Sequence, residues 1–530
     1  MYSFKLTCRD YKSPAIDIQY SKLLLNDNIY INQKINSIKK QFNIHAKYNK
    51  KKTNKYLFFQ TEINILLKNE LNKLMLNISL QDSEILQRIQ ESKNQINKSF
   101  FKNEWDKTKK YTNPYEFIYC IPKKNDNEFK TASLTTIDPL SRSFFKMIEM
   151  SNVFLSDLIN DPKPHNTLHL AEGPGGFIEA YAYLRNKNKN YNTIQNKECY
   201  DYIIEDKNYL RDKLNRVTDT YYGITLINRK YEVPGWKKST QFLKKNKNVH
   251  ILSGIDGIGD LYNIDNIKYL INKFKFNKVK LVTGDGGFDF SIDYNLQEYM
   301  ASKLLLSQII VALGCLDKNG TFICKFYDLN NKLSVELIYL LQCHFKNLHI
   351  FKPKSSRLAN SEKYIVCKGF KNISTKYLDI LINLLNRFNE VEKENEQNIH
   401  HFTKYICDKL CNGGNTNNNL DFNRNENKDY ELKIINMIYN YSYKTNDNEE
   451  KIPSTFFDYI RNTNKQIVDI QIRNINYTID IIKQKNKHSL DNNWLMKTKK
   501  KLIDNAIDWC IQNNISYNNI YKNTNNILHY

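Results

Sequence analysis

The sequence HLAEGPGGFIEA, residues 169–180, joins a strand to a helix through a glycine turn. The apolar run Thr167–Leu170 predicts a short strand, and Phe177–Leu184 predicts a helix. Glycines between the two allow tight bending of the backbone and close approach of a ligand. The spacing is neither GxGxxG nor GxxxxGK[ST], the two common phosphate-binding patterns. Two interpretations therefore stay open, a ligand-binding loop and a plain strand–helix turn.

Strands and helices alternate after this turn. The clearest helical runs are Leu296–Leu316 and Ser334–Phe345. Further strand candidates are Tyr221–Ile227, Val249–Leu252, Val279–Thr283, Thr321–Phe326, Leu348–Phe351 and Tyr364–Cys367. This alternation predicts an α/β fold with a mainly parallel sheet. Ligands of such sheets bind beyond the carboxyl ends of the strands, so charged side chains at those ends are the first candidates for function.

Three segments place a charged side chain near a strand end. Asp285 follows the apolar run of VKLVTGDGGFDFS (279–291), and Lys325 lies near the end of the strand in GTFICKFYD (320–328). Glu362 precedes the last strand in SSRLANSEKYIVCKGF (355–370). Each also has an ordinary interpretation. Asp285 fits a turn cap, Lys325 a snorkelling amine, and Glu362 a solvated carboxylate.

The charge balance indicates a polyanionic partner. The 530 residues include 79 Lys and Arg against 56 Asp and Glu, a formal net charge of +23. Nucleic acid is the common partner of such chains, and a lysine-rich surface kept for solubility is the alternative. Abundant Asn, Lys, Ile and Tyr indicate AT-rich codons, a bias typical of a parasite, a protist or a large DNA virus.

Membrane insertion and metal binding are not expected. The longest apolar run, Leu304–Leu316, is shorter than the roughly 18 residues of a membrane span, and the N-terminus lacks the apolar core of a signal peptide. The ten cysteines are scattered without a CxxC pair, which fits a reduced, intracellular compartment. The spacing of His400, His401, Cys407 and Cys411 matches no usual zinc pattern.

The ends of the chain predict helical extensions. We expect an N-terminal helical extension at 1–100, a central domain at 101–371 and a helical C-terminal region at 372–530. Apolar residues recur at helical spacing within 61–97. The predicted C-terminal helices are Tyr377–Phe388, Leu432–Tyr441 and 453–530, and Asn412–Lys428 is an Asn-rich linker.

The segment from Asn113 to Phe370 resembles the FtsJ-like RNA ribose 2′-O-methyltransferases, and most closely the mRNA cap-specific members. The resemblance lies in the order of short motifs. These are NPYE at 113–116, SRSFFKM at 141–147, GPGGF at 173–177, GIDGIGD at 254–260, DGGF at 285–288, NLQE at 295–298, FICK at 322–325 and the segment 355–370. It implies a Rossmann-like methyltransferase sheet that uses S-adenosylmethionine.

The resemblance also implies roles for particular residues. The catalytic tetrad would be Lys146, Asp285, Lys325 and Glu362. The cofactor-binding residues would be Glu172, Gly173, Pro174, Gly175, Gly176, Phe177, Asp256 and Asp260. The substrate-binding residues would be Asn295, Asn360, Arg357 and Lys109. Two features depart from the family: Ser141 replaces the usual Asn five residues before Lys146, and 121–138 resembles an insertion.

The implied chemistry needs a base and no metal. A sulfonium is a good leaving group, whereas a ribose hydroxyl is a poor nucleophile and needs a base, here Lys325. Such a base must be partly neutral, and burial beside Lys146 lowers the pKa of Lys325 whereas Asp285 and Glu362 raise it.

The expected substrate is the cap-proximal ribose of mRNA. Ribosomal or transfer RNA is the alternative substrate, and an inactive RNA-binding subunit is the alternative of another class. The implied partners are capped mRNA and other capping or transcription proteins. The implied location is the nucleus or cytoplasm, or the virion or viral factory for a viral source.

Overall fold

The computed structural model describes about two thirds of the chain. The described residues are 2–7, 17–19, 22–24, 83–96, 98–120, 133–194, 219–227, 235–287, 297–330, 332–386, 388–390, 433–435, 440–442, 453–486 and 492–518. The predicted linker at 412–428 and the residues His400, His401, Cys407, Cys411 and Asn295 lie outside these ranges. None of the helices in them is long and apolar enough to cross a membrane.

An eight-stranded sheet forms the centre of the molecule. Its strands are β1 (Tyr2–Thr7), β4 (Asn166–Leu170), β5 (Thr220–Ile224), β6 (Val249–Leu252), β7 (Val279–Gly284), β8 (Leu316–Phe326), β9 (Phe345–Lys352) and β10 (Lys363–Phe370). The spatial order is β1-β9-β10-β8-β7-β4-β5-β6. From β4 the chain builds β5 and β6 on one side and β7 and β8 on the other. The order thus reverses between β4 and β7, where ligands of doubly wound sheets bind.

The sheet is parallel from β6 to β8 and antiparallel beyond it. Parallel pairs join β6 to β5, β5 to β4, β4 to β7 and β7 to β8. Strand β10 runs antiparallel to both β8 and β9, and β1 runs antiparallel to β9. Because β10 is reversed, its first residues lie at the same edge as the carboxyl ends of the parallel strands. The predicted Rossmann-like α/β fold is confirmed.

The helices cover both faces of the sheet. They are α1 (Ser83–Ile96), α2 (Ser99–Thr112), α3 (Ser143–Phe154), α4 (Ser156–Asn160), α5 (Gly176–Ile194), α6 (Thr240–Lys245), α7 (Ile264–Lys273), α8 (Gln297–Cys315), α9 (Lys332–His344), α10 (375–386), α11 (Ser454–Asn486) and α12 (Asn492–Gln512). Two 3-10 turns, Glu116–Ile118 and Lys237–Ser239, complete the set of helical elements in the described ranges.

Alternate residues of each strand enter opposite hydrophobic clusters. Phe322 and Cys324 belong to a cluster with α7, α8, α9, α10 and the start of α11, whereas Ile323 belongs to a cluster with α3, α5 and α12. This follows from the two-residue period of a strand. Since α11 and α12 contribute buried side chains to these clusters, the C-terminal helices are part of the same core as the sheet.

The extensions contain strands as well as helices. Helices α1, α2, α11 and α12 agree with the predicted helical ends. The predicted helix Leu432–Tyr441 is wrong, because its described parts are β11 (Lys433–Ile435) and β12 (Asn440–Ser442). These short strands pair with β3 (Lys22–Leu24) and β2 (Asp17–Gln19). The predicted helical extensions are confirmed, and short strands accompany their helices where pairing partners distant in sequence decided the local structure.

Candidate active site

The four predicted tetrad residues meet at the carboxyl edge of the sheet. Asp285 follows β7, Lys325 is the penultimate residue of β8, and Glu362 immediately precedes the reversed strand β10. Lys146 lies in the first turns of α3, which packs on this side of the sheet. Topology alone thus brings together residues separated by up to 216 positions.

Two ion pairs connect the four side chains. Lys146 Nζ lies 2.5 Å from Glu362 Oε1, and Lys325 Nζ lies 3.3 Å from Asp285 Oδ1. Lys325 also donates to the backbone carbonyl of Asp285 at 2.7 Å. Each of the four side chains is only 11–14% exposed. The arrangement is a largely buried cluster of two amines and two carboxylates.

Tyr364 joins the two pairs. Its hydroxyl lies 2.7 Å from Asp285 Oδ1 and 3.0 Å from Glu362 Oε1, and it can donate to one of them at a time. Glu362 and Tyr364 are two residues apart, so their side chains point to the same face of the chain. Burial raises the pKa of Glu362, but the charges of Lys146 and Lys325 outweigh it and bring the pKa to about 2. Glu362 is therefore ionised at neutral pH.

The pKa of Lys325 is raised. Burial lowers it, but the nearby carboxylates of Asp285 and Glu362 raise it, and the net shift is upward. The sequence left the direction undecided, and the nearby carboxylates decide it. With the four residues as they stand, Lys325 carries its proton at neutral pH.

A second buried lysine holds the loop that presents Glu362. Lys352, the last residue of β9, donates to the backbone carbonyls of Asn360 and Glu362 at 2.7 Å each. Burial lowers the pKa of Lys352 to about 7. The β9–β10 loop, residues 353–362, is thereby fixed at the end where the tetrad residue lies.

The glycine turn is packed against protein. A Cβ on Gly173 would lie 2.5 Å from the carbonyl oxygen of Gly235, and one on Gly176 would collide with the hydroxyls of Ser141 and Ser143. Gly175 has a φ of +107° and faces Trp236. Tight turning and close packing explain these glycines without a ligand at the Cα positions.

Other loop residues also have structural partners. Ser239 Oγ donates to the carbonyl of Pro174. The buried ring of Phe177 lies 5.9 Å from the ring of Tyr364. Ser141, which replaces the Asn usual in the family, forms a hydrogen bond between its Oγ and the Oγ of Ser143 at 2.5 Å.

Glu172 and Trp236 carry buried polar atoms with no partner in the described residues. Glu172 accepts the amide of Phe177 through Oε1 at 2.6 Å, whereas Oε2 has no hydrogen-bond partner there. The indole Nε1 of Trp236 likewise has none. Burial and the nearby charge of Asp285 raise the pKa of Glu172. A cationic group with N–H donors would satisfy Glu172 and oppose this shift.

The two aspartates of the 254–260 loop differ. Asp256 accepts the amides of Ile258 and Gly259 and the side chains of Asn263 and Asn266, so its carboxylate maintains the loop. Burial raises the pKa of Asp256, but these hydrogen bonds outweigh the effect of burial and lower the pKa below its usual value. Asp260 accepts the amide of Tyr262 through Oδ1 at 2.8 Å.

The predicted substrate residues are placed differently from one another. Arg357 donates two hydrogen bonds to buried Glu116, at 2.7 and 3.1 Å, and Lys109 pairs with Asp106 at 2.5 Å. Both therefore have intramolecular partners. Asn360 is exposed in the β9–β10 loop.

Sequence reasoning missed Tyr364, Lys352 and Glu149. Glu149, on α3 one turn beyond Lys146, accepts the amides of Lys354 and Ser355 at 2.7 Å each. Period-two spacing from Glu362 was the available signal for Tyr364. No local sequence pattern marks Lys352 or Glu149 as part of the site. Both bind backbone groups of the β9–β10 loop, which is distant in sequence from Glu149.

The comparisons agree with the resemblance read from the motifs. Residues 139–370 match the model of the FtsJ-like methyltransferase family, which confirms the predicted family for this segment. The cap-specific mRNA (nucleoside-2′-O-)-methyltransferase 1 of Bos taurus is 28% identical over 312 residues, 56% of this chain and 33% of that protein. The human protein of the same name is 43% identical over 122 residues, 22% of this chain and 15% of that protein.

The chain spans a third or less of the length of these curated relatives. Among solved structures, a ribosomal RNA methyltransferase from Plasmodium falciparum is 19% identical. The match covers 44% of this chain and 100% of the Plasmodium falciparum chain, with a TM-score of 0.29.

Proposed function

We propose that the chain is an S-adenosylmethionine-dependent methyltransferase that acts on the ribose 2′-hydroxyl of a cap-proximal nucleotide of mRNA. The observation that carries the proposal is the cluster of Lys146, Asp285, Lys325 and Glu362 at the switch-point edge of the sheet, within the segment that matches the FtsJ-like family. Two amines and two carboxylates in a dry site are suited to orienting a hydroxyl and handling its proton.

The cofactor site fits a cationic ligand. Glu172 lies just after β4, and its Oε2 has no hydrogen-bond partner among the described residues. Burial and the charge of Asp285, which follows β7, raise the pKa of the Glu172 carboxyl. S-adenosylmethionine carries an ammonium and a sulfonium and would supply an electrophilic methyl group when bound. We assign Glu172 and the turn Gly173–Phe177 to its amino-acid end, and Asp260 with Asp256 to its nucleoside end. The backbone of the turn contributes shape, since its glycines are packed against protein.

Lys325 and its neighbours would prepare the hydroxyl. In its neutral form Lys325 would accept the proton of the 2′-hydroxyl, and Asp285 holds the Lys325 amine in place. The Lys146–Glu362 pair flanks the same space, and the Tyr364 hydroxyl lies within hydrogen-bond distance of one carboxylate of each pair and donates to one of them at a time. Preorganised charges of this kind act without reorganisation at the moment of reaction.

The proton on Lys325 is the main electrostatic obstacle. Asp285 and Glu362 raise the pKa of Lys325, so the amine must lose its proton before it acts as a base. Any positive charge brought close to it lowers that pKa. A cationic ligand beside Lys325 would therefore favour the neutral, basic form of its amine.

Capped mRNA is the substrate that the relatives favour. The net charge of +23 suits a polyanion, and Asn295 and Asn360 are proposed to contact the RNA. Ribosomal or transfer RNA is the second candidate, favoured by the wider family match. Arg357 and Lys109 are weaker candidates for RNA contact because each is paired within the chain. Capping or transcription proteins as partners, and a nuclear, cytoplasmic or viral location, follow from this substrate as predictions.

An inactive RNA-binding subunit is the competing class. The assembled tetrad argues against it, because RNA binding alone requires no buried pair of lysines between carboxylates.

The test is methyl transfer to matched capped and uncapped transcripts by the wild type and by Lys325→Ala. We expect transfer to capped RNA only, and a loss of roughly 10²–10⁴-fold in the variant with cofactor affinity retained. Lys280→Ala is the control, since Lys280 lies at the opposite end of β7 and pairs with Asp317. Equal transfer to uncapped RNA would favour the second candidate, and unchanged turnover in Lys325→Ala would remove the mechanism.

A further inference from the structure

The C-terminal helix α12 contributes a polar contact to the buried framework of the active site. Trp509 is fully buried, and its indole N–H donates to Glu149 Oε1 at 2.8 Å. Trp509 lies outside residues 139–370, which match the family. The N–H of a buried tryptophan needs an acceptor, because unpaired buried polar groups cost free energy, and here that acceptor is a carboxylate of α3, the helix that also carries Lys146.

Glu149 connects Trp509 to the β9–β10 loop. Oε1 accepts the amide of Ser355 and the indole of Trp509, and Oε2 accepts the amide of Lys354. All three partners are donors, so the geometry is that of an ionised carboxylate. Burial raises the pKa of Glu149, and the bonds from Ser355, Trp509 and Lys354 oppose that rise without cancelling it. Each of the three donors therefore favours the charged form of the buried carboxylate.

The loop held by Glu149 at its start ends in Glu362. Lys352 holds the carbonyl groups at the far end, and Lys146, on the same face of α3 as Glu149, holds the Glu362 side chain. Helix α11 adds a bond from Gln471 to the carbonyl of Ala359. The loop is thus fixed at both ends, and only the first end depends on α12.

We propose that Trp509 is a positioning residue, which through Glu149 fixes the start of the β9–β10 loop and thereby the placement of Glu362 in the tetrad. The inference rests on the proposed function, because it takes Glu362 as catalytic. Small displacements of catalytic groups cost activity disproportionately, about a hundredfold for about 1 Å.

The first test measures the loop without any assay of activity. Trp509→Phe keeps a ring against Phe145 and removes the N–H donor. We expect the amides of Lys354 and Ser355 to exchange hydrogen at least about tenfold faster, because local opening becomes easier. Ile503→Val, a packing change in the same cluster away from Glu149, should leave these amides protected. Unchanged exchange in Trp509→Phe overturns the proposal, whether or not methyl transfer is observed.

The second test uses the pH dependence of kcat. Tyr115 and Lys354 are ionisable groups near Glu149 contributed by the neighbouring segments, and Asp508 acts on Tyr115 from α12. Loss of one donor makes Glu149 easier to protonate. The kcat of Trp509→Phe should be about tenfold to a hundredfold lower, with the deficit largest at low pH and shrinking as pH rises. The KM for S-adenosylmethionine should stay within about twofold.

Glu149→Gln decides between positioning and packing. In the Glu149→Gln background, Trp509→Phe should change kcat by the same factor at every pH, because no carboxylate is left at position 149 to titrate. A deficit that keeps its pH dependence there overturns the proposal. If Trp509→Phe fails to fold, Glu149→Gln alone must speed exchange at Lys354 and lower kcat, and wild-type behaviour of Glu149→Gln overturns the proposal. Absence of methyl transfer by the wild type would instead reject the proposed function and leave the exchange test to decide.

Discussion

Lys325 lies between charges that act on it in opposite directions, and the outcome determines the expected pH dependence. Its pKa is raised above the usual 10.5. Below that pKa the neutral fraction of the amine increases tenfold for each pH unit. If the neutral amine is the base, log kcat/KM should therefore rise with a slope near +1 from about pH 7 to about pH 9. Initial rates at low concentrations of both substrates give this slope, and a flat profile would exclude Lys325 as the titrating base.

Tyr364 tests whether the two ion pairs act together. Tyr364→Phe removes the hydroxyl between Asp285 and Glu362 and keeps the ring in the core. A hydrogen bond to a charged group contributes roughly 1.5–3 kcal/mol, so kcat should fall about 10–100-fold.

Tyr181→Phe is the matched control for this substitution. Tyr181 also has a buried hydroxyl, bonded to His165 at 3.0 Å, but at the opposite edge of the sheet. We expect Tyr181→Phe to lower the free energy of unfolding without changing kcat. Equal kcat values for the two variants would show that Tyr364 has only a packing role.

Part of the site could be predicted from strand ends alone. Asp285 and Lys325 lie at the carboxyl ends of parallel strands, so their meeting follows from the predicted sheet. Glu362 joins them only because β10 is reversed, which the sequence analysis did not predict. Lys146 was identified from the family motif and not from its position, because nothing local marks a lysine in α3. Partners such as Tyr364 and Glu149 depend on which side chains face each other across the core, and a single sequence does not contain that information.

At the scale of elements, the glycine turn shows what a local pattern leaves open. The strand and helix on either side were predicted within a residue or two at their shared ends, and a glycine turn between them was expected. The space beside these glycines can hold either a ligand or packed protein. Which of the two it holds depends on the 235–239 segment, which is about 60 residues away in sequence. The contacts favour packing for Gly173 and Gly176.

Gly173→Ala separates these two roles. The new Cβ would meet the backbone of Gly235, which cannot rotate away, so we expect a loss of about 3 kcal/mol in the free energy of unfolding. Gly257→Ala is the control, because its surroundings are open and only its φ of +73° is strained, at a cost of about 1 kcal/mol. Denaturant unfolding gives both values. Full stability of Gly173→Ala with loss of cofactor binding would instead identify a ligand-facing glycine.

The limits of strands were harder to predict where pairing extends past an apolar run. Strand β8 begins at Leu316, five residues before the predicted start, although Asp317–Gly320 is polar. Pairing of Leu316 with Val279 across a register shift holds this part in the sheet. The predicted helix at Leu432–Tyr441 failed for the same reason, since strand partners came from near the N-terminus.

At the scale of the whole molecule, the extensions are built into the hydrophobic core around the central sheet. Phe456 and Ile460 of α11 are buried in the cluster with α8 and α9, and Ile503 and Trp509 of α12 are buried in the cluster with α3 and α5. From the N-terminal side, Lys93 of α1 forms a buried ion pair at 2.7 Å with Asp328, which follows β8. The division at 100 and 371 remains a prediction, and the contacts give the flanking helices a structural role.

Removal of the C-terminal helices should therefore unfold the protein. A chain that ends at residue 452 would expose both clusters, and each large buried apolar side chain that loses its partners costs roughly 2–5 kcal/mol. We expect no cooperative thermal transition by circular dichroism. A truncated chain that melts within a few degrees of the full chain would show that the helices are a dispensable appendage.

The central claim is that the methyl group goes to a ribose 2′-hydroxyl next to the cap, and substrate chemistry tests it most directly. The measurement is transfer of labelled methyl from S-adenosylmethionine to capped RNA, compared with the same RNA carrying 2′-deoxyribose at the first, the second or both cap-proximal nucleotides. The account predicts full incorporation into the all-ribose RNA and none into the RNA deoxy at both positions, with one single substitution abolishing it. Undiminished incorporation into the RNA deoxy at both positions would contradict the account.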